Sequence, residues 1–139
     1  MGFSVVYNFP TNSEFNDLFL SVNWGERDAE KIDKNRQKSD FAVCVYDDEL
    51  IVGMARVVGD GTYYMIYDLC VRKEYQGKGV GRLLLTEILD WYKNFEDEET
   101  VLHLGSADGK EEFYKKFGFV ARPYCGVGAS MKYDPEFQK

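Results

Sequence analysis

The run Gln76-Gly77-Lys78-Gly79-Val80-Gly81-Arg82 sets three glycines at alternate positions, flanked by Lys78 and Arg82. Glycine has no Cβ, so backbone N–H groups along such a run can come close to a ligand. Before it, residues 65–71 are apolar and β-prone, the signature of a buried strand. After it, Val80, Leu84, Ile88, Trp91 and Phe95 recur at the spacing of one helix face. A strand, a glycine turn and a helix place those amides at a helix N-terminus. The donors left over there, and the positive end of the helix dipole, favour an anion such as a phosphate.

Spacing decides among the phosphate-binding turns of this shape. A dinucleotide fingerprint needs G-x-G-x-x-G, but counting from Gly77 the sixth position is Arg82, and from Gly79 it is Leu84. A P-loop needs Gly-Lys followed by Ser or Thr, which is absent. Q-x-x-G-x-G does fit, at Gln76, Gly79 and Gly81, preceded by V-x-x-x-[YF] at Val71 and Tyr75. This resembles the pyrophosphate-binding motif of the GCN5-related N-acetyltransferase (GNAT) superfamily. Downstream, Phe113-Tyr114-x-x-Phe117-Gly118-Phe119 is similar to that superfamily's F-Y-x-x-x-G-F segment. The matched segments run from about residue 41 to residue 120, and the opening helices lie outside them.

The resemblance implies acetyl-CoA as co-substrate, lying against the end of the strand at residues 65–71 where it splays from its neighbour. Backbone groups around Leu69, Cys70 and Val71 would then bond the pantetheine arm, and an N–H in that strand would polarise the thioester carbonyl. The pyrophosphate would sit on the amides of Gln76, Gly77, Lys78, Gly79, Val80 and Gly81, with Lys78 and Arg82 adding charge. Tyr114 matches the tyrosine that the family often uses to protonate the leaving thiolate. A thiolate of pKa near 8.5 is a modest leaving group, so a hydrogen bond to sulfur serves as well as full proton transfer. The alternative is that Tyr114 only packs on the cofactor.

Acetyl transfer to an amine also needs an unprotonated nucleophile. A lysine-like amine of pKa about 10.4 costs about 4–5 kcal/mol to deprotonate at pH 7, which calls for a positioned base or a water chain. Asp68 stands inside an otherwise apolar strand, where an acid is expensive unless paired or used. It is the candidate general base, directly or through water, or else an anchor bonded to neighbouring backbone. Cys70 invites an acyl-cysteine scheme, although a small buried thiol is the commoner situation. His103 is the only histidine and sits on a short strand, as a base or as a half-exposed structural residue. Trp24, Tyr64 and Tyr67 are candidates for an aromatic wall around the acceptor, with strand propensity or structural packing as the plainer account.

The elements that must position these residues follow from the same pattern. Residues 3–9 suit an edge strand. Thr11 to Ser13 offer caps to a helix whose apolar face is Phe15, Leu18, Phe19 and Val22. Residues 26–38 suit a short charged helix. Residues 41–46 and 50–58 form a hairpin about Asp47-Asp48-Glu49, and residues 63–71 complete an antiparallel meander. Strict alternation on that third strand would place Met65, Tyr67, Leu69 and Val71 on one face and Tyr64, Ile66, Asp68 and Cys70 on the other. A long helix follows over about 79–95, then a strand at 101–104. Asp108-x-x-Glu111 matches a capping box before a helix carrying Phe113, Tyr114 and Phe117, and residues 119–121 and 129–133 suit two last strands. The expected fold is mixed α/β (α+β). It has a central, mostly antiparallel twisted sheet flanked by about four helices, as one domain over residues 1–139.

Composition bounds the rest. Ten Tyr and ten Phe, in a chain of 139 residues that is 16% aromatic, supply a core and a lined cleft. No apolar run reaches the roughly 18 residues of a membrane span, and no signal peptide is evident. Cys44, Cys70 and Cys125 make an odd number with no CxxC spacing, which suggests free thiols in the cytoplasm and no metal site. A net charge of −7 disfavours nucleic acid and suits cationic partners. The expectation is therefore a cytoplasmic N-acetyltransferase, possible as a homodimer, acting on a small cationic primary amine. The alternatives are a protein or peptide N-acetyltransferase, or a non-catalytic module that binds acyl-CoA.

Overall fold

The computed structural model describes residues 2–136. It forms two compact units, the first ending at Leu104 and the second beginning at Gly105. The first contains a five-stranded sheet of order β1-β2-β3-β4-β5: β1 Phe3–Val6, β2 Phe41–Asp47, β3 Leu50–Gly59, β4 Tyr63–Val71 and β5 Val101–Leu104. Neighbours from β1 to β4 pair antiparallel, and β5 pairs parallel to β4. A parallel pair cannot be joined by a tight turn. The long helix α3 (Val80–Tyr92) makes the crossover between β4 and β5.

Helices α1 (Asn12–Ser21) and α2 (Ala29–Lys38) cover one sheet face. Thr11 caps α1 in a complete capping box with Glu14, and Asp28 caps α2 by accepting from the Glu30 amide. Phe15, Leu18, Phe19 and Ile32 pack there with Cys44, Ile51, Met54 and Cys70 in one buried cluster. On the other face lies α3, its buried stripe being Val80, Leu84, Leu85, Ile88 and Tyr92. Gly53 of β3 makes that approach possible. A Cβ there would stand 2.6 Å from Val80 Cγ1 and 3.1 Å from Leu84 Cδ1. Gly53 is opposite Val71, so the start of α3 is seated on the very end of β4.

Several expected boundaries shift. The first strand ends at Val6, and α3 ends at Tyr92 with Phe95 in the turn beyond it. In the second unit, α4 (Glu111–Lys115) starts after Lys110, which gives no side-chain cap, so the capping box expected at Asp108 does not form. Gly118, at φ +97°, follows that helix. Residues 119–121 and 129–133 are not strands; the pairing there is one antiparallel bridge between Tyr124 and Val127. Short apolar runs make a strand only where an open edge receives them, and β-propensity alone does not supply one.

Candidate active site

After β4 the chain makes a 3-10 turn at Lys73–Tyr75 and enters the glycine run. Gln76 ties the run back to the strand, its Nε2 donating to the Val71 carbonyl at 3.0 Å. Tyr75 donates its hydroxyl to Asp47 Oδ2 at 2.6 Å, and Lys78 Nζ lies 5.4 Å from the centre of its ring. Gly77 and Gly79 have φ of +80° and +88°, a left-handed backbone that glycine alone adopts without strain. A Cβ on either would meet no protein atom within 4 Å, so conformation rather than crowding demands glycine.

Gly79 is the N-cap of α3 and can offer no side-chain oxygen to its first turn, where no acid stands either. The first helical bond runs from Leu83 N to Gly79 O at 3.0 Å. The amides of Val80 and Gly81 therefore point out of the helix end without a capping side chain, and no carboxylate of the first turn offsets the dipole. Exposed Lys78 and Arg82 flank them. Donors, dipole and flanking cations all fit a diphosphate.

Just upstream, β4 changes its geometry. Arg56 is opposite Tyr67 and Met54 is opposite Cys70, so Asp68 and Leu69 together face the one residue Ala55. This is a β-bulge, with Asp68 at φ +57°. It corrects the strict alternation expected for the strand. Tyr64 packs its ring against Trp91, Tyr92 and Phe95 on the α3 side, whereas Cys70 lies in the cluster under α1 and α2. The extra residue reverses the facing between them. Pairing with β5 stops at Ile66, so residues 67–71 run on with no strand on that edge among the described residues.

Asp68 is held by two guanidinium groups. Arg56 Nε donates to Oδ2 at 2.7 Å, and Arg27 donates from Nη1 to Oδ2 at 3.0 Å and from Nη2 to Oδ1 at 3.3 Å. Arg27 also donates to Asn35 Oδ1, lies 5.0 Å from the ring centres of both Phe15 and Phe19, and has its backbone gripped by Asn16. Arg56 also reaches Ser39 and lies 5.2 Å from the centre of the Tyr67 ring. Of the two roles open to Asp68, these contacts are those of an anchor, made to side chains rather than to backbone. Left-handed backbone costs a non-glycine residue about 1 kcal/mol, and the clamp offsets it.

The remaining candidates separate. Tyr64 is 8% exposed inside its ring cluster, which takes it out of an acceptor wall. Tyr67 and Trp24 are about half exposed, and a chain of contacts joins them through Phe19, Arg27, Asp68 and Arg56. Leu69 and Val71 are half-buried, on the run where pairing with β5 has ended. For Cys70 only its backbone can serve a cofactor. Its Sγ lies against the Leu18 carbonyl in the core, and burial pushes the thiol up to about 12, away from a nucleophilic thiolate. His103 is half-buried on β5, opposite Met65. In the second unit, Tyr114 packs against Phe113 and Phe119, and burial raises its pKa above the usual tyrosine value. A shallow recess of about 350 Å³ runs along α1, with Asp17 and Glu26 in its lining.

Arg27 and Arg56 are the site residues that the sequence reading missed. Arg56 carried a usable signal: it is a lone cation in the apolar run of β3, as Asp68 is a lone acid in β4. Arg27 carried none, standing 41 positions from its partner in a loop rich in charge.

An acetyltransferase (GNAT) domain model matches residues 37–121. A probable acetyltransferase of unknown function from meticillin-resistant Staphylococcus aureus superposes with a TM-score of 0.85 at 31% identity, over 95% of this chain and 100% of that one. A GNAT-family acetyltransferase from Streptococcus pneumoniae shares the fold, with a TM-score of 0.74 at 22% identity over 97% of this chain and 100% of that one. The uncharacterized N-acetyltransferase ycf52 of Pyropia yezoensis is 25% identical over 79% of this chain, and the match spans 65% of that protein's length. With more than half of its length matched by the family model, and with the glycine turn and bulged strand in place, the chain belongs to the GNAT superfamily.

Proposed function

We propose that the protein transfers the acetyl group of acetyl-CoA directly to a primary amine of a small, cationic acceptor. The observation that carries this reading is the start of α3: left-handed Gly77 and Gly79, an N-cap with no side chain, and no acid in the first turn, all seated on the end of a bulged strand. The family match crosses the division after Leu104, which supports treating both units as parts of one acetyltransferase domain.

Acetyl-CoA supplies an activated carbonyl and a thiolate leaving group. The amides of Gly77 to Gly81 bind its diphosphate, with Lys78 and Arg82 adding charge. Backbone groups of Leu69, Cys70 and Val71 bond the pantetheine arm, and an amide of the bulge faces the thioester oxygen. Tyr114 keeps its proton at neutral pH and hydrogen-bonds to sulfur; its part rests on the Phe113-Tyr114 motif and its raised pKa. Net charge −7, together with Glu26 in the recess along α1, supports a cationic acceptor, for which the exposed Trp24 and Tyr67 are the aromatic candidates.

Titration calorimetry with coenzyme A, followed by thiol release from acetyl-CoA with polyamines, aminoglycosides, arylalkylamines and peptides, tests this reading. Binding with turnover of a small polycation is the expected result. Turnover of peptides alone moves the acceptor to protein, tight binding without any turnover marks a non-catalytic module, and no heat with coenzyme A overturns the proposal.

A further inference from the structure

We propose that Asp68 is a positioning residue: clamped by Arg27 and Arg56, it holds the β4 bulge in the shape that directs its backbone amides at the thioester. This rests on the acetyltransferase reading above and replaces proton abstraction as the work of this carboxylate.

Three observations carry it. Asp68 takes the left-handed position of the bulge, at φ +57°, where glycine is the ordinary occupant, so its side chain is kept there for what it binds. Both of its oxygens accept from guanidinium groups, Oδ2 from two of them, and its side chain is 12% exposed. A general base must instead turn a lone pair toward the incoming amine. Finally, Asp68 and Leu69 lie outside the one-to-one β3 register, and β5 pairing has stopped at Ile66, so regular pairing fixes these two residues on neither edge.

The clamp fixes them instead. Arg56 comes from β3, directly opposite Tyr67, and sets the bulge against the sheet. Arg27 comes from the segment between α1 and α2, where Asn16, Asn35 and the rings of Phe15 and Phe19 hold it rigid. The bulge is thus bolted to the helical layer as well as to its own sheet. Electrostatic stabilisation of a developing oxyanion depends on donors already in place, so slack in this bulge costs rate more than it costs affinity. The diphosphate grip, at the start of α3, is made by other residues.

The test compares Asp68→Ala, Asp68→Asn and Arg56→Gln with the wild type, after thermal unfolding has shown each variant folded. Asn tolerates left-handed backbone and still accepts from Arg56, so it is the conservative rescue. In Asp68→Ala and Arg56→Gln, kcat is expected to fall about tenfold or more while coenzyme A affinity, read by calorimetry, stays within about threefold. Backbone NMR order parameters at residues 68 and 69 are expected to fall from about 0.85 to below about 0.6 in the same two variants. Asp68→Asn is expected to keep most of the rate, with the pH profile of the wild type. The proposal is overturned if Asp68→Asn is as inactive as Asp68→Ala while Arg56→Gln keeps wild-type rate, which is the pattern of a base. Unchanged order parameters at residues 68 and 69 in Asp68→Ala overturn the clamp alone. Absence of coenzyme A binding by the wild type overturns the acetyltransferase reading, and this catalytic role falls with it.

Discussion

Val80 Cγ1 occupies the space that a side chain at Gly53 would need, 2.6 Å from where its Cβ would stand. The first turn of α3 is brought against β3 by that missing methylene, and the anion-facing end of the helix is aligned with the end of β4.

Gly53→Val is therefore expected to lower stability by about 1–3 kcal/mol, the usual cost of overpacking a filled interior. Urea unfolding measures it. The same variant should bind coenzyme A more weakly, because relief of the clash shifts the start of α3. Unaltered stability and affinity together would show that the close approach is not required.

Gly79→Val addresses the turn itself. A β-branched residue is strained at φ +88°, and its side chain would project over the helix end. Calorimetry should show coenzyme A affinity down by about tenfold or more, roughly 1.4 kcal/mol. The melting temperature should fall as well, by several degrees, because left-handed backbone costs a non-glycine residue about 1–2 kcal/mol even where no protein atom crowds the position. Wild-type affinity in this variant would remove the glycine run from the site.

Tyr114→Phe separates a hydrogen bond to sulfur from simple packing. The ring stack with Phe113 and Phe119 is kept, so stability should hold. Loss of the hydroxyl should lower kcat by about tenfold or more, with coenzyme A affinity retained. Burial raises the tyrosine above its usual value, so the wild-type rate should show no loss through tyrosine ionisation between pH 7 and about 10. Unchanged kcat in Tyr114→Phe would reduce the residue to packing.

The thiols give a pH prediction with a definite sign. Burial pushes Cys44 and Cys70 up to about 12, so they stay neutral in the fold well above the value near 8.5 of a free thiol. Above that lower value the unfolded chain binds fewer protons than the native one, so stability falls as pH rises from about 8.5 toward 12. Equilibrium unfolding across that range measures the fall. At pH 8, an aromatic disulfide reagent should label exposed Cys125 rapidly, and Cys44 and Cys70 only on unfolding. Rapid labelling of all three in the native protein would contradict this burial.

Much of the fold was legible because its signals are local. The hairpin about Asp47 and Asp48, the cap offered by Thr11, and the amphipathic stripe from Val80 to Ile88 each lie within a few residues and carry their own chemistry. The end of the chain was harder to read. Residues 119–121 and 129–133 have strand-like composition but no strand received them, and Lys110 took the cap position expected of Asp108. Edge availability and cap choice depend on neighbours that are distant in the chain.

The site divides along the same line. By itself, the amino-acid order determined the glycine turn between a strand and an amphipathic helix, since alternate glycines permit the left-handed backbone that other residues adopt only with strain, and it singled out Asp68 as an acid in apolar company. Only the tertiary structure decided what that acid contacts. One bulged residue reversed the facing of β4 between Tyr64 and Cys70, sent Tyr64 into the α3 core, and set Asp68 between arginines 12 and 41 positions away. A bulge leaves no mark in hydrophobic periodicity shorter than itself, and an ion pair closed across two layers has no signature along the chain.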